Sequence, residues 1–249
     1  METLTFTRKD MAQLLSSLNG TMSDSPLTTI QTVWRAKHLK ELEQGNSMSA
    51  FIATSLPPVL ERMIKSSDAV PSFSLLDIVS LGAQIEYTNF SISSIQNWVK
   101  RDFKDIIGHP EDGKKYSLQQ VALFFIIEDL RSTLDYEAIR NFFRMVFPEN
   151  TQRFISPLNF YAAYAGLFED LDERYKSYSG ARADLVYKWD QMIHELARDY
   201  VTGLTEKTDQ EKETIQTALH VALISVHTSC FQALSRRYVN GMVFLHDLR

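Results

Sequence analysis

The sequence predicts a mainly α-helical fold. Three observations predict it: apolar residues recur every three to four positions over most of the chain, capping residues and Gly or Pro breakers bracket those runs, and strand-like alternation is scarce. Of 249 residues, 44% are hydrophobic and 23% charged, the balance of a globular chain rather than a disordered or membrane-embedded one. That length suits one large core or two to three small ones.

The first helix is expected over residues 8–18, with Thr7 as its N-cap, Met11, Leu14, Leu15 and Leu18 on one face, and Asn19-Gly20 as its stop. A second runs from Thr28 to about Gln44, ended by Gly45-Asn46, and a short third occupies Met48 to Leu56 before Pro57-Pro58. Residues 1–70 thus read as an N-terminal helical extension, closed by the Ser-, Asp- and Pro-containing stretch from Lys65 to Ser72. A second boundary falls near Pro148-Glu149-Asn150, which makes residues 71–149 a middle domain and 150–249 a C-terminal helical bundle. The bundle's helices are expected at Leu158 to about Tyr175, Arg182 to Val201 and Thr208 to Tyr238. Leu185, Trp189, Met192, Leu196 and Tyr200 form one stripe of the second. The last is apolar around most of its girth from Leu219 to Phe231, as suits the centre of a bundle or a dimer interface.

The middle domain carries the functional signal. Leu75, Leu76, Ile78, Val79 and Ile85 make an apolar helix reaching to about Thr88, and Asn89-Phe90-Ser91 turns into the next helix, Ser91 to Arg101. At about 100° per residue, Ile92, Ile95, Trp98 and Val99 share one side, while Ser93, Gln96, Asn97 and Lys100 cluster opposite with Arg101 at the margin. Asp102 would turn inward, so the helix ends near it. The basic, turn-rich stretch Gly108 to Tyr116 suits a small hairpin, and Ser117 with Gln120 forms a capping box opening an apolar helix to Arg131. Asp135 caps a further helix, Tyr136 to Phe147.

Helix, turn and polar-faced helix is the helix-turn-helix arrangement, a common pattern by itself. The run SISSIQNWVKR, a basic turn, and KKYSLQQVALFFIIEDLRSTLDYEAIRNFF resembles the MerR superfamily: recognition helix, lysine-tipped wing, then two helices. Asn97-Trp98-Val99-Lys100 and Lys114-Lys115-Tyr116-Ser117 bring it closer still to a bacterial family of unknown function that carries this variant. The likeness spans roughly Phe73 to Phe147. It implies a MerR-like winged helix-turn-helix flanked by the N-terminal helices and the C-terminal bundle. Ser93, Gln96, Asn97 and Lys100 would face the major groove, with Arg101 beside them, and Lys114, Lys115 and Tyr116 would contact phosphate. The sequence departs from the MerR pattern in having Ser93 and Gln96 where arginines are usual, about 70 residues ahead of the domain, and Pro148 and Pro157 where a dimerisation helix should run.

Charge is balanced against this reading. The net charge is −5, no third of the chain is basic, and around the site five cations face four carboxylates, so a local patch must supply the affinity. A protein-interaction module that keeps the winged fold without binding DNA is the alternative. Cys230 is the only cysteine, the N-terminus lacks a signal-peptide pattern, and polar residues interrupt the longest apolar runs. A cytoplasmic protein without membrane contact is expected. No phosphate-binding loop, nucleophile elbow or Cys-x-x-Cys is present, so neither an enzyme nor a cofactor is expected. His220, His227 and Cys230 do not complete a zinc set, and His194-Glu195 lacks the second histidine of a protease motif, so no metal is expected. Phe160, Tyr161, Tyr164, Phe168, Tyr175, Tyr178 and Trp189 read as core, with an effector pocket as the other use. The partner implied is double-stranded DNA, with a homodimer and a small-molecule effector left open.

Overall fold

The computed structural model describes residues 2–65, 70–148, 154–177 and 184–247. The boundary residues expected at 66–69 and at Glu149-Asn150, the helix start at Arg182 and the aromatic Tyr178 lie outside them. Among the described residues the fold is mainly α, with two strands of two residues each. The chain forms two compact units, Met1–Phe124 and Phe125–Arg249, which divide within one helix. This differs from the three segments that the linker composition suggested.

The first unit holds β1 (Glu2–Thr3), α1 (Arg8–Leu18), α2 (Pro26–Lys37), α3 (Leu39–Glu43), α4 (Ser47–Ala53), β2 (Thr54–Ser55), α5 (Pro58–Lys65), α6 (Leu75–Gly82), α7 (Ile92–Asn97), a π-helical turn (Trp98–Asp102), α8 (Lys104–Ile107) and the first half of α9 (Leu118–Leu130). Thr7 caps α1 as expected, in a reciprocal box with Asp10. Its inward residues Met11, Leu14 and Leu15 are fully buried. The expected helix from Thr28 to Gln44 is broken at His38, whose backbone (φ −110°, ψ 24°) leaves the helical region. The sequence reading did not anticipate α5, because Pro57-Pro58 looked like a stop. Pro58 instead occupies the first helical turn, where its missing N–H would be unpaired anyway.

The N-terminal segment is part of this unit because backbone bonds tie it in. Phe6 N donates to Gln84 O at 2.7 Å and Glu86 N to Phe6 O at 2.9 Å, a parallel bridge between residues far apart in sequence. Phe6 is fully buried, and the Arg8 guanidinium donates to the Glu86 carbonyl. β1 pairs in parallel with β2.

The second unit holds the rest of α9, α10 (Tyr136–Val146), α11 (Pro157–Ser177), α12 (Leu185–Thr202) and α13 (Asp209–Asp247). Asp135 caps α10, its carboxylate accepting from Ala138 N at 2.8 Å. α10 buries Ile139, Phe142, Phe143 and Val146, and Phe142 meets Phe160 of α11 edge-on. α12 buries Met192, Ile193, Leu196, Ala197 and Val201, while Leu185 is 55% exposed, so the expected stripe turns inward only in its later part. Ile215, Leu219, Leu223 and Val226 put the first half of α13 in the core. By length and composition alone α13 is apolar enough to cross a membrane, and it runs nine residues past the expected end at Tyr238.

Candidate nucleic-acid interface

Ser74 opens α6 in a reciprocal box with Asp77, whose carboxylate accepts from Ser74 N at 2.9 Å. The helix stops at Gly82, earlier than the expected Thr88, because Ile85 leaves it to pair with Phe6. The connection then turns through Tyr87, which takes a left-handed backbone (φ 63°), and the Thr88 hydroxyl reaches the Gly82 carbonyl at 2.7 Å. The Phe90 ring lies where a Cβ on residue 82 would stand, so glycine permits this close approach. Ser91 caps α7 by accepting from Ser94 N at 3.2 Å.

From this start α7 separates its faces. Ile95 and Trp98 are buried, Ile92 and Val99 half-buried, while Ser93, Gln96, Asn97, Lys100 and Arg101 are exposed. The backbone then widens into the π turn, where Phe103 N donates to Trp98 O at 2.9 Å. The wider turn brings Asp102 and Phe103 inward, and Phe103 meets the Trp98 indole edge-on at 6.1 Å between centroids. Arg101 Nε donates to the buried Asp102 carboxylate at 2.7 Å, which ties this cation to a neighbour on its own element.

The stretch after α8 folds back on itself. Gly108 and Gly113 adopt positive φ (74° and 61°), Lys115 N donates to Asp112 O at 2.8 Å, and Asp112 N returns a bond to Lys115 O. This tight turn presents Lys114 and Lys115 to solvent. Ser72 Oγ donates to the Asp112 carboxylate at 2.6 Å, holding the turn from the other side. The expected box at the head of α9 is present: Ser117 N donates to Gln120 Oε1 at 3.0 Å and Gln120 N reaches Ser117 Oγ at 3.4 Å. Gln120 also does what its spacing did not announce. Its amide nitrogen donates to the carbonyls of Ile107 and His109, fastening the end of α8 to α9.

With this geometry in place, the comparisons define the family. Residues 75–164 match the family described as "Domain of unknown function (DUF1836)". The chain is also 37% identical over 172 residues to the uncharacterized protein YkrK of Bacillus subtilis (strain 168), covering 66% of this chain and 69% of that protein. The chain belongs to this bacterial family of unknown function. No solved structure matches it.

The DUF1836 match opens at the first residue of α6 and ends at Tyr164 in α11, so it contains every expected site residue. Seven of the eight are exposed: Ser93, Gln96, Asn97, Lys100, Arg101, Lys114 and Lys115. Lys104, whose direction the sequence left open, is exposed as well. Tyr116 is the correction. It was expected to contact phosphate, yet it is 5% exposed, its ring stands edge-on to Phe124 at 5.4 Å, and burial pushes its phenol pKa up. The two residues before it are lysines, but its own side chain belongs to the core. The carboxylates of Asp105, Glu111 and Asp112 are exposed around the lysines, which limits the local positive charge.

The other residues singled out in the sequence are engaged elsewhere in the second unit. His220 Nε2 lies 2.9 Å from the Asp190 carboxylate, and His227 packs edge-on to Phe168 and Trp189 while its Nδ1 meets the Leu223 carbonyl. Among the described residues no group of three or more His, Cys, Asp or Glu could hold a metal. Phe160, Tyr161 and Tyr164 are fully buried core, and Tyr175 stacks on Trp189 at 4.8 Å.

Proposed function

We propose that this DUF1836 protein is a DNA-binding transcriptional regulator that uses residues 73–147 as a MerR-like winged helix-turn-helix. In this reading α6 and α7 are the helix pair, α7 enters the major groove, and the turn at Gly113-Lys114 is the wing. One observation carries it: Ser93, Gln96, Asn97 and Lys100 all stand on the exposed side of a helix whose Ile95 and Trp98 are buried. Gln and Asn amides are the side chains that pair bidentately with adenine, each worth about 1–3 kcal/mol of discrimination. Lys100, Lys104, Lys114 and Lys115 would supply phosphate contacts, which position the protein without reading sequence. The protein acts by binding, in the cytoplasm, with no chemistry of its own.

The test is retardation of a random-sequence duplex pool at low salt, followed by selection of the bound sequences. Binding is expected to weaken steeply with salt, and Lys114→Ala with Lys115→Ala to reduce the log-log salt slope by about two. Replacing Gln96, Asn97 and Lys100 together by Ala is expected to abolish selective binding with an unchanged helical CD spectrum. A triple variant that selects the same sequences as wild type would falsify the assignment of α7.

A second reading has its own support. Arg101 is tied to Asp102, the net charge is −5, and Leu76 on α6 is 69% exposed. These features suit a protein-interaction module that keeps the fold and has lost DNA. Absence of retardation at low salt, with a protein partner that co-purifies and is lost on Leu76→Glu, selects it.

A further inference from the structure

The far half of α13 is exposed along its length. Gln232 donates to the Ser132 carbonyl at 3.0 Å, and beyond it every side chain from Leu234 to His246 is exposed. At about 1.5 Å per residue this length projects about 20 Å. A solvated projection should be polar. This one exposes Phe231 (67%), Tyr238 (70%), Met242 (69%) and Leu245 (62%), together with Ile224 and Leu234 on the same side.

The spacing is specific. Ile224, Phe231, Tyr238 and Leu245 are seven residues apart, and Leu234 and Met242 fill the gaps, so all six fall within an arc of about 80° at about 100° per residue. That is the seam of a helix meeting another helix along its length. The seam continues onto α12. Val186, Trp189 and Ile193 form with Ile224, His227 and Phe231 a groove of about 280 Å³, and Leu185 and Val186 remain exposed beside it.

We propose that this surface is the interface of a homodimer, in which α13 of one protomer lies along α13 of its partner and an aromatic side chain enters the groove beside Val186. Area argues for a partner of this size. At about 200 Å² for a large side chain, the exposed fractions of the seam with Leu185 and Val186 come to roughly 970 Å² per chain, enough for the ~800 Å² that each partner buries in a standard interface. A monomer rarely leaves so much contiguous apolar surface in water. Chemistry argues against a lipid surface as the occupant, because between Phe231 and His246 the only full cations are Arg236 and Arg237, whereas interfacial helices carry a basic polar face. The proposal does not depend on DNA binding.

The experiment is mass measurement by light scattering or sedimentation equilibrium of the full chain at micromolar concentration. Wild type is expected at twice the chain mass. Leu234→Glu with Met242→Glu is expected at the single-chain mass, with helical CD retained because neither side chain is buried in the protomer. Val243→Glu, about 120° round the helix from the Phe231 direction, is expected to remain at twice the mass. A single-chain mass for wild type, a double variant that keeps the doubled mass, or loss of the dimer in Val243→Glu each overturns the proposal. Co-sedimentation of a single-chain wild type with anionic phospholipid vesicles, lost in the double variant, overturns it in favour of lipid.

Discussion

Phe73 and Tyr116 exchange two main-chain hydrogen bonds, Phe73 N to Tyr116 O at 2.9 Å and Tyr116 N to Phe73 O at 2.7 Å, and both side chains are buried. The pair joins the residue before the cap of α6 to the residue after the lysine turn. The turn is therefore anchored to the helix pair through a core ring, and this separates the roles of three adjacent residues. Tyr116→Ala is expected to cost about 3–5 kcal/mol, as large-to-small core substitutions do. Tyr116→Phe keeps the ring and is expected within about 1 kcal/mol of wild type and equal to it in duplex retardation. Urea unfolding of the three proteins measures the first pair of numbers. A Tyr116→Phe variant with the salt slope of the double lysine variant would return the hydroxyl to the phosphate-contact set.

Gln120 gives a sharper test, since both ends of one amide are used. Its Oε1 accepts from Ser117 N, and its Nε2 donates to the carbonyls of Ile107 and His109 at 2.8 and 2.7 Å. Gln120→Glu keeps shape and the cap but sets a carboxylate oxygen against two carbonyls at a site 5% exposed. The loss is expected at about 2–3 kcal/mol near neutral pH. The buried carboxyl would have its folded pKa raised above its unfolded value. The variant's deficit therefore shrinks as pH falls through that raised pKa and is full above it. A deficit independent of pH between about 4 and 8 would show that the amide nitrogen is not what holds the two carbonyls.

The parts of this fold that were legible in sequence are those governed by local chemistry. Thr7, Ser117 and Asp135 each cap the helix they were expected to open, because a short polar side chain before an apolar run satisfies nearby N–H groups. The outward set on α7 follows from the same local periodicity. What escaped is set by contacts distant in sequence. α6 ends at Gly82 because Ile85 pairs with Phe6, and Tyr116 turns inward to meet Phe73 and Phe124, although both its preceding neighbours are lysines. The π turn has no local signature; it follows the burial of Trp98 and Phe103 against each other. α13 was read by its apolar girth, which does not distinguish a buried half from a projecting one.

In the second unit a polar pair lies inside an otherwise apolar layer. Tyr164 OH donates to Asp129 Oδ2 at 2.8 Å, with Tyr164 fully buried and Asp129 3% exposed. Both residues fall within the DUF1836 match. A hydrogen bond to a charged group contributes about 1.5–3 kcal/mol, and removing the donor leaves the desolvation of the acceptor in place. Tyr164→Phe is accordingly expected to destabilise by about that amount while leaving the packing intact. Thermal unfolding checks it, with Tyr161→Phe as the comparison that removes a neighbouring hydroxyl without touching Asp129. Equal losses for the two variants would assign the effect to the aromatic layer rather than to the pair.

The head of α13 carries the clearest pH-sensitive contact. Thr208 N and Oγ1 donate to Glu211 Oε2 at 2.8 and 2.9 Å, Glu211 N reaches back to Thr208 Oγ1, and Lys207 lies beside the same carboxylate. The bonds from the Thr208 backbone and hydroxyl, aided by Lys207, hold the Glu211 pKa below its ordinary value. A carboxyl whose folded pKa is depressed contributes stability that is complete above its unfolded pKa and is lost as pH falls through the folded one. The helix start is therefore expected to fray under acid before the rest of α13. Thr208→Ala removes the hydroxyl and should move the Glu211 titration upward toward the ordinary carboxylate value, read by the NMR shift of its side-chain carboxyl carbon. Lys207→Ala should move it less, because the Thr208 hydroxyl bond is a larger cause than either the charge or the hydrogen bond of Lys207. A Glu211 titration unchanged by Thr208→Ala would mean that the hydroxyl contributes nothing to the cap.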